Sequence, residues 1–139
     1  MPLTAALSKV APNLPVFKIE DAAVSRDPQV VQRYQDDPLN HPGKLPARTL
    51  GEIMRGMDTI PRDAAALRVP LLLLHGGEDR LCPPEGSRII HANAGSADKT
   101  LKVYDGLYHE IFNEPEREQV LDDVVEWLAA RTARQEVAA

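Results

Sequence analysis

The chain is poor in residues that build recognition surfaces or crosslinks. It holds one tryptophan, three tyrosines and two phenylalanines among 139 residues, too few for an aromatic platform on which bases could stack. Its single cysteine, Cys82, cannot close an intramolecular disulfide, which fits a reducing compartment. Positive charge is in deficit, with 16 Lys+Arg against 21 Asp+Glu and a net charge of -5, so the diffuse positive field that draws nucleic acid or anionic lipid is missing. No run approaches the roughly 18 apolar residues that suggest a membrane span. The start, Met1 to Val10, lacks the basic n-region and long apolar core of a secretory signal, and the expectation is a soluble, cytoplasmic protein. No His/Cys/Asp/Glu spacing suggests a metal site, and no cofactor is expected.

What remains is 43% hydrophobic, enough for a modest core. The chain divides by texture near residue 62. Residues 1–62 are rich in proline and turn signals, among them Asn13-Leu14-Pro15 and Asn40-His41-Pro42-Gly43, and show no convincing strand. Asp27-Pro28 places a capping side chain before a proline suited to the first helical position, so a short helix begins there and carries Val30, Val31 and Tyr34 on one face. A second helix runs through Leu50, Ile53, Met54 and Met57.

Residues 63–139 read as strand, helix, strand, helix. Val69-Pro70-Leu71-Leu72-Leu73-Leu74 is a continuous apolar run, expected as a strand buried on both faces of a parallel sheet. Pro83-Pro84-Glu85 opens a helix carrying Ile89 and Ile90, which Gly95 is placed to end in a left-handed conformation. Leu101 to Tyr104 forms the next strand. Asn113-Glu114-Pro115-Glu116 starts the last helix, with Val120, Leu121, Val124, Val125 and Leu128 at helical spacing. Two parallel strands are too few for independent stability, so the apolar run expects further neighbours.

The chemistry lies after the two strands, where loops at the carboxyl ends of a parallel sheet collect functional groups. Asp79 follows the first and His109 the second. A carboxylate that accepts the Nδ1 proton of an imidazole fixes its tautomer and stabilises the imidazolium that forms when the other nitrogen takes a proton. The plainer alternative is that Asp79 caps a turn and His109 caps the last helix. No G-x-S-x-G nucleophile elbow precedes them, although acid before histidine is the order of the last two members of a Ser-Asp-His triad. Ser8, Ser25, Ser87 and Ser96 all lack the glycine-flanked sharp turn, and Ser87, inside the helix after Pro84, is expected at the surface. His75-Gly76-Gly77 lies in the wrong place for an oxyanion loop, and its glycines are expected to turn the backbone toward Asp79. His41 and His91 are expected to be solvated, and Cys82 half-buried and unreactive.

Asp79-Arg80-Leu81-Cys82-Pro83 and Gly106-Leu107-Tyr108-His109-Glu110-Ile111-Phe112-Asn113-Glu114-Pro115 closely resemble the acid and histidine segments of the monoacylglycerol lipases within the α/β-hydrolases. Ser25-Arg26-Asp27-Pro28 is similar to the cap insertion of the bacterial members, and the resemblance runs from about Pro12 to Leu128. It implies an α/β fold in which residues 1–62 are a helical cap and residues 63–139 the carboxyl-terminal part of the core, two parallel strands with flanking helices. It implies Asp79 as triad acid, His109 as triad base and an ester or monoacylglycerol as substrate. The family's nucleophile has no matching position here, so the chain alone is expected to be inactive. A separately supplied amino-terminal half or a second copy would then complete the sheet. The same loops serve related hydrolases of peptides, lactones and epoxides. If the lipase likeness holds, Leu3, Leu7, Val10, Leu14, Val16, Phe17 and Ile19 could line an acyl tunnel or pack on the body of the enzyme.

Overall fold

The computed structural model describes residues 2–40 and 43–137; the His41-Pro42 turn lies outside them. The first segment opens with α1 (Pro2–Val10), which packs against α3 (Ala47–Ala64). Between them lie β1 (Pro15–Phe17), a 3₁₀ turn at Asp21–Ala23, α2 (Pro28–Asp36) and β2 (Leu45–Pro46). The capped start of α2 is as the sequence predicts: Asp27 accepts a hydrogen bond from the Gln29 N–H at 2.8 Å, and Pro28 occupies the first turn.

The segment nevertheless contains strands. β1 and β2 pair antiparallel, Pro15 opposite Pro46 and Phe17 opposite Leu45, with an irregularity between. They span three and two residues, too short to show a two-residue alternation, and both carry a proline, which is confined to edges and irregular pairings.

The second segment is a parallel unit. β3 (Leu71–Gly76) and β4 (Lys99–Tyr104) pair in register from Leu71 opposite Lys99 to Gly76 opposite Tyr104, joined through α4 (Glu85–Asn93). α5 (Arg117–Val137) follows. Leu71 to Leu74 are half-buried rather than enclosed on both faces, because among the described residues β3 has β4 as its one neighbour in the sheet. The core joins Tyr104, Leu107, Ile111 and Val120 with Leu74 against them. Val120, fully buried, seats the first turns of α5 on the loop after β4.

Two helix boundaries differ from expectation. α4 ends on Ala94, whose ψ of 130° takes the chain out of helix, and Gly95 is not left-handed. α5 starts at Arg117, not at the Asn113-Glu114 stretch. Ile111–Asn113 forms a separate 3₁₀ turn, and Glu114 is extended because its carboxylate is committed to a distant partner.

Candidate active site

Gly76 and Tyr104 are register partners at the carboxyl ends of β3 and β4, so the loops that follow leave from the same level of the sheet. They are stitched together by backbone bonds from Gly77 N–H to the Tyr104 carbonyl at 2.7 Å and from Glu78 N–H to the Leu107 carbonyl at 2.9 Å. Gly76 is buried, and a Cβ there would overlap the carbonyl oxygens of Tyr108 and Leu107. Close approach of the histidine loop, not an unusual turn toward Asp79, is what requires glycine at 76. The left-handed residue is Gly106, at φ 79°, where the histidine loop reverses after β4.

Asp79 and His109 meet. The Asp79 side chain is 3% exposed, and its Oδ2 accepts from His109 Nδ1 at 2.8 Å. Its other oxygen, Oδ1, accepts from the N–H groups of Leu81 and Cys82, each at 2.9 Å. A buried carboxylate with both oxygens engaged is a fixed acceptor. His109 is thereby held with the proton on Nδ1, and its side chain is 40% exposed. Nε2 is then the nitrogen able to take or return a proton.

The histidine loop is anchored from the first segment. Glu110 N–H donates to the Val24 carbonyl at 2.8 Å. Glu114, with no exposed surface, accepts from the backbone N–H of Arg26 at 2.8 Å and from its Nε at 2.5 Å, and Arg26 also pairs with Glu116. The bond to Glu114, before the attraction of its charge, raises the Arg26 guanidinium above its ordinary range. Between α2 and the two loops lies a cleft of about 470 Å³ bordered by Ala22, Val31, Gln35, Arg80 and Tyr108, with the Arg80 guanidinium 5.3 Å from the Tyr108 ring centroid.

The remaining candidates fall elsewhere. Ser87 is buried, contrary to the surface position expected of it: the side of α4 it occupies faces β3, and its Oγ lies 2.7 Å from His75 Nδ1. Ser25 and Ser96 are also buried, Ser25 accepting from the Asp27 N–H and Ser96 donating to the Asp98 carbonyl. Ser8 is buried on α1. Cys82 is exposed rather than half-buried, yet its thiol is pushed up by desolvation and by the negative charge of Asp79. His91 is half-buried on α4. Among the described residues there is no His/Cys/Asp/Glu cluster able to hold a metal, and no helix is long and apolar enough to cross a membrane.

Sequence reasoning missed His75 and Glu114. A polar residue closing an apolar strand, four positions before Asp79, is a signal for the first. For Glu114 nothing local distinguishes it from Glu116; its partner is 88 residues away.

The profile of the serine aminopeptidase S33 family matches residues 2–116. The monoacylglycerol lipase of Mycolicibacterium smegmatis is 50% identical over 124 residues, 89% of this chain and 44% of that protein. Human monoglyceride lipase is 36% identical over 129 residues, 91% of this chain and 43% of that protein. The crystal structure of Paleococcus ferrophilus monoacylglycerol lipase superposes with a TM-score of 0.83 at 34% identity, covering 93% of this chain and 51% of that one. The chain thus spans about half the length of the relatives it matches. A family match over most of the chain, on a fold shared with a solved lipase, means that the chain belongs to the serine aminopeptidase S33 family of α/β-hydrolases.

Proposed function

We propose that this chain carries the general base and orienting acid of a serine-dependent carboxylic ester hydrolase whose substrates are monoacylglycerols. The observation behind the proposal is the 2.8 Å bond from His109 Nδ1 to the buried Asp79 carboxylate. His109 Nε2 takes the proton of a serine hydroxyl as the serine oxygen bonds to the acyl carbon, and returns it to the departing glycerol oxygen. It then deprotonates the water whose oxygen bonds to the acyl carbon, and gives that proton to the serine oxygen as the acyl–serine bond breaks and the fatty acid leaves. Asp79 holds the ring and offsets the positive charge it gains. The names of the relatives supply the substrate class. Residues 1–62 serve as the cap, and the exposed Val10, Leu14 and Phe17 provide apolar surface for an acyl chain or for the body of the enzyme.

The nucleophile and oxyanion donors belong to sequence outside these 139 residues, so the chain by itself is inactive. That β3 has one strand neighbour among the described residues favours a second, compatible role in which this unit completes a larger sheet. The test is hydrolysis of a monoacylglycerol and of a short-chain p-nitrophenyl ester by the chain alone and mixed with the nucleophile-bearing half of the Mycolicibacterium relative. Activity is expected in the mixture alone and is lost with His109→Ala. Robust turnover by the unmixed chain would overturn the claim of inactivity, and mixed activity that survives His109→Ala would overturn the role of the base.

A further inference from the structure

His75 reaches the same carboxylate as His109. Its Nε2 lies 2.7 Å from the Cys82 carbonyl oxygen and 3.2 Å from Asp79 Oδ2, the oxygen that His109 also uses. Its Nδ1 lies 2.7 Å from Ser87 Oγ. The side chain is 14% exposed. A carbonyl oxygen can only accept, so Nε2 carries the proton; Nδ1 of the neutral ring is then an acceptor, and the Ser87 hydroxyl donates to it. The positive end of the Nε2–H dipole therefore faces the carboxylate while its hydrogen bond holds the Cys82 carbonyl.

These contacts close a loop around the acid. Cys82 gives its N–H to Asp79 Oδ1 and receives His75 Nε2–H on its carbonyl, so one peptide-bearing residue links both sides of the carboxylate. The Cys82 carbonyl, which can only accept, determines which ring nitrogen is protonated, and the Ser87 hydroxyl on α4, able to donate or accept, donates to the bare one. The acid is thus held from β3, from its own loop and from the histidine loop.

We propose that His75 is a positioning residue for the Asp79–His109 pair, locked as the Nε2–H tautomer by the Cys82 carbonyl. It acts through Asp79 and touches neither substrate nor nucleophile. Its consequence for catalysis rests on the ester-hydrolase reading; the tautomer and its effect on His109 do not.

The experiment is ¹⁵N-resolved NMR of the imidazoles in the full 139-residue chain at neutral pH. His75 is expected with Nε2 protonated and Nδ1 bare, and Ser87→Ala should move the Nδ1 resonance while Nε2 keeps its proton. His75→Ala should speed exchange of the His109 Nδ1 proton on the order of tenfold, the equivalent of one lost hydrogen bond, or erase its signal. His75→Gln, whose amide N–H can reach the Cys82 carbonyl, should restore it. Should His75→Ala fail to fold, Ser87→Ala and His75→Gln carry the test. A protonated Nδ1 on His75 would overturn the proposal. So would a His109 signal indifferent to His75→Ala, or one that the folded His75→Gln chain does not restore. Since the spectra read the rings directly, failure of the esterase assay leaves this result standing, and failure here leaves that assay untouched.

Discussion

At the scale of single residues, Cys82 shows how position separates exposure from reactivity. Its thiol is accessible, but thiolate is the attacking form, and here desolvation first and the Asp79 charge second push its ionisation upward. Alkylation by iodoacetamide at about pH 8 should be slower than that of free cysteine. Asp79→Asn should accelerate it severalfold, since the like charge is removed while the loop keeps its length. Mass-spectrometric alkylation rates decide this; a wild-type rate equal to that of free cysteine would contradict it. Asp79 and His109 were legible in the sequence because each follows a strand and sits in a motif-like segment. His75 was hidden by the glycines after it, which invited comparison with an oxyanion loop. Ser87 was hidden by its helix, although the spacing of Ser87, Ile90 and Ala94 marks one face of α4, with Ser87 and Ala94 buried.

At the scale of elements, the links that matter are polar bonds between segments distant in sequence. Glu114→Ala removes the acceptor for the Arg26 backbone N–H and parts the histidine loop from the first segment. Leaving that donor unsatisfied should cost about 1–3 kcal/mol, with Glu114→Gln milder because its carbonyl oxygen still accepts. Urea unfolding of the two variants measures the difference. α5 is tied to β4 through Asp123, which accepts from Tyr104 Oη at 2.7 Å and pairs with Lys102. The Lys102 bond, then the Tyr104 bond, lowers the Asp123 carboxyl below its ordinary 3.8, while burial pushes the Tyr104 phenol well above its usual range. Near pH 3.8 the unfolded chain therefore binds more protons at this site than the folded one. The stabilisation is present above that pH and is lost as pH falls through the depressed folded value. Asp123→Asn should be less stable than wild type at about pH 6, and the gap should shrink toward about pH 3. A gap that stays constant across this range would remove Asp123 from the acid response. The helices were readable from capping and spacing. β1 and β2 were not, because five residues with two prolines carry no periodicity, and neither was the late start of α5, because an ion pair with the distant Arg26 holds the buried Glu114 out of the helix.

At the scale of the whole molecule, the parallel unit carries the sequence of an interior strand in the setting of an edge. The apolar run Leu71 to Leu74 led to an expectation of burial on both faces, and the four leucines are instead half-buried, because burial depends on neighbours that strand-forming residues do not themselves encode. The hydrogen-bond directions make the consequence measurable. Leu71 N–H donates to the Asp98 carbonyl and Gly77 N–H to the Tyr104 carbonyl, so the odd-numbered amides of β3 point toward β4. In a parallel strand the amides between them point the other way. Hydrogen exchange of the isolated chain should therefore show Leu73 and His75 protected and Leu72 and Leu74 exchanging at least roughly tenfold faster, a difference set by local pairing and not by global unfolding. Adding the nucleophile-bearing half of a relative should slow Leu72 and Leu74 selectively if the proposed completion of the sheet takes place. Equal protection of odd and even amides in the chain alone would mean that a further strand, from a second copy, already covers this edge. Protection that stays alternating in an active mixture would place the added half elsewhere.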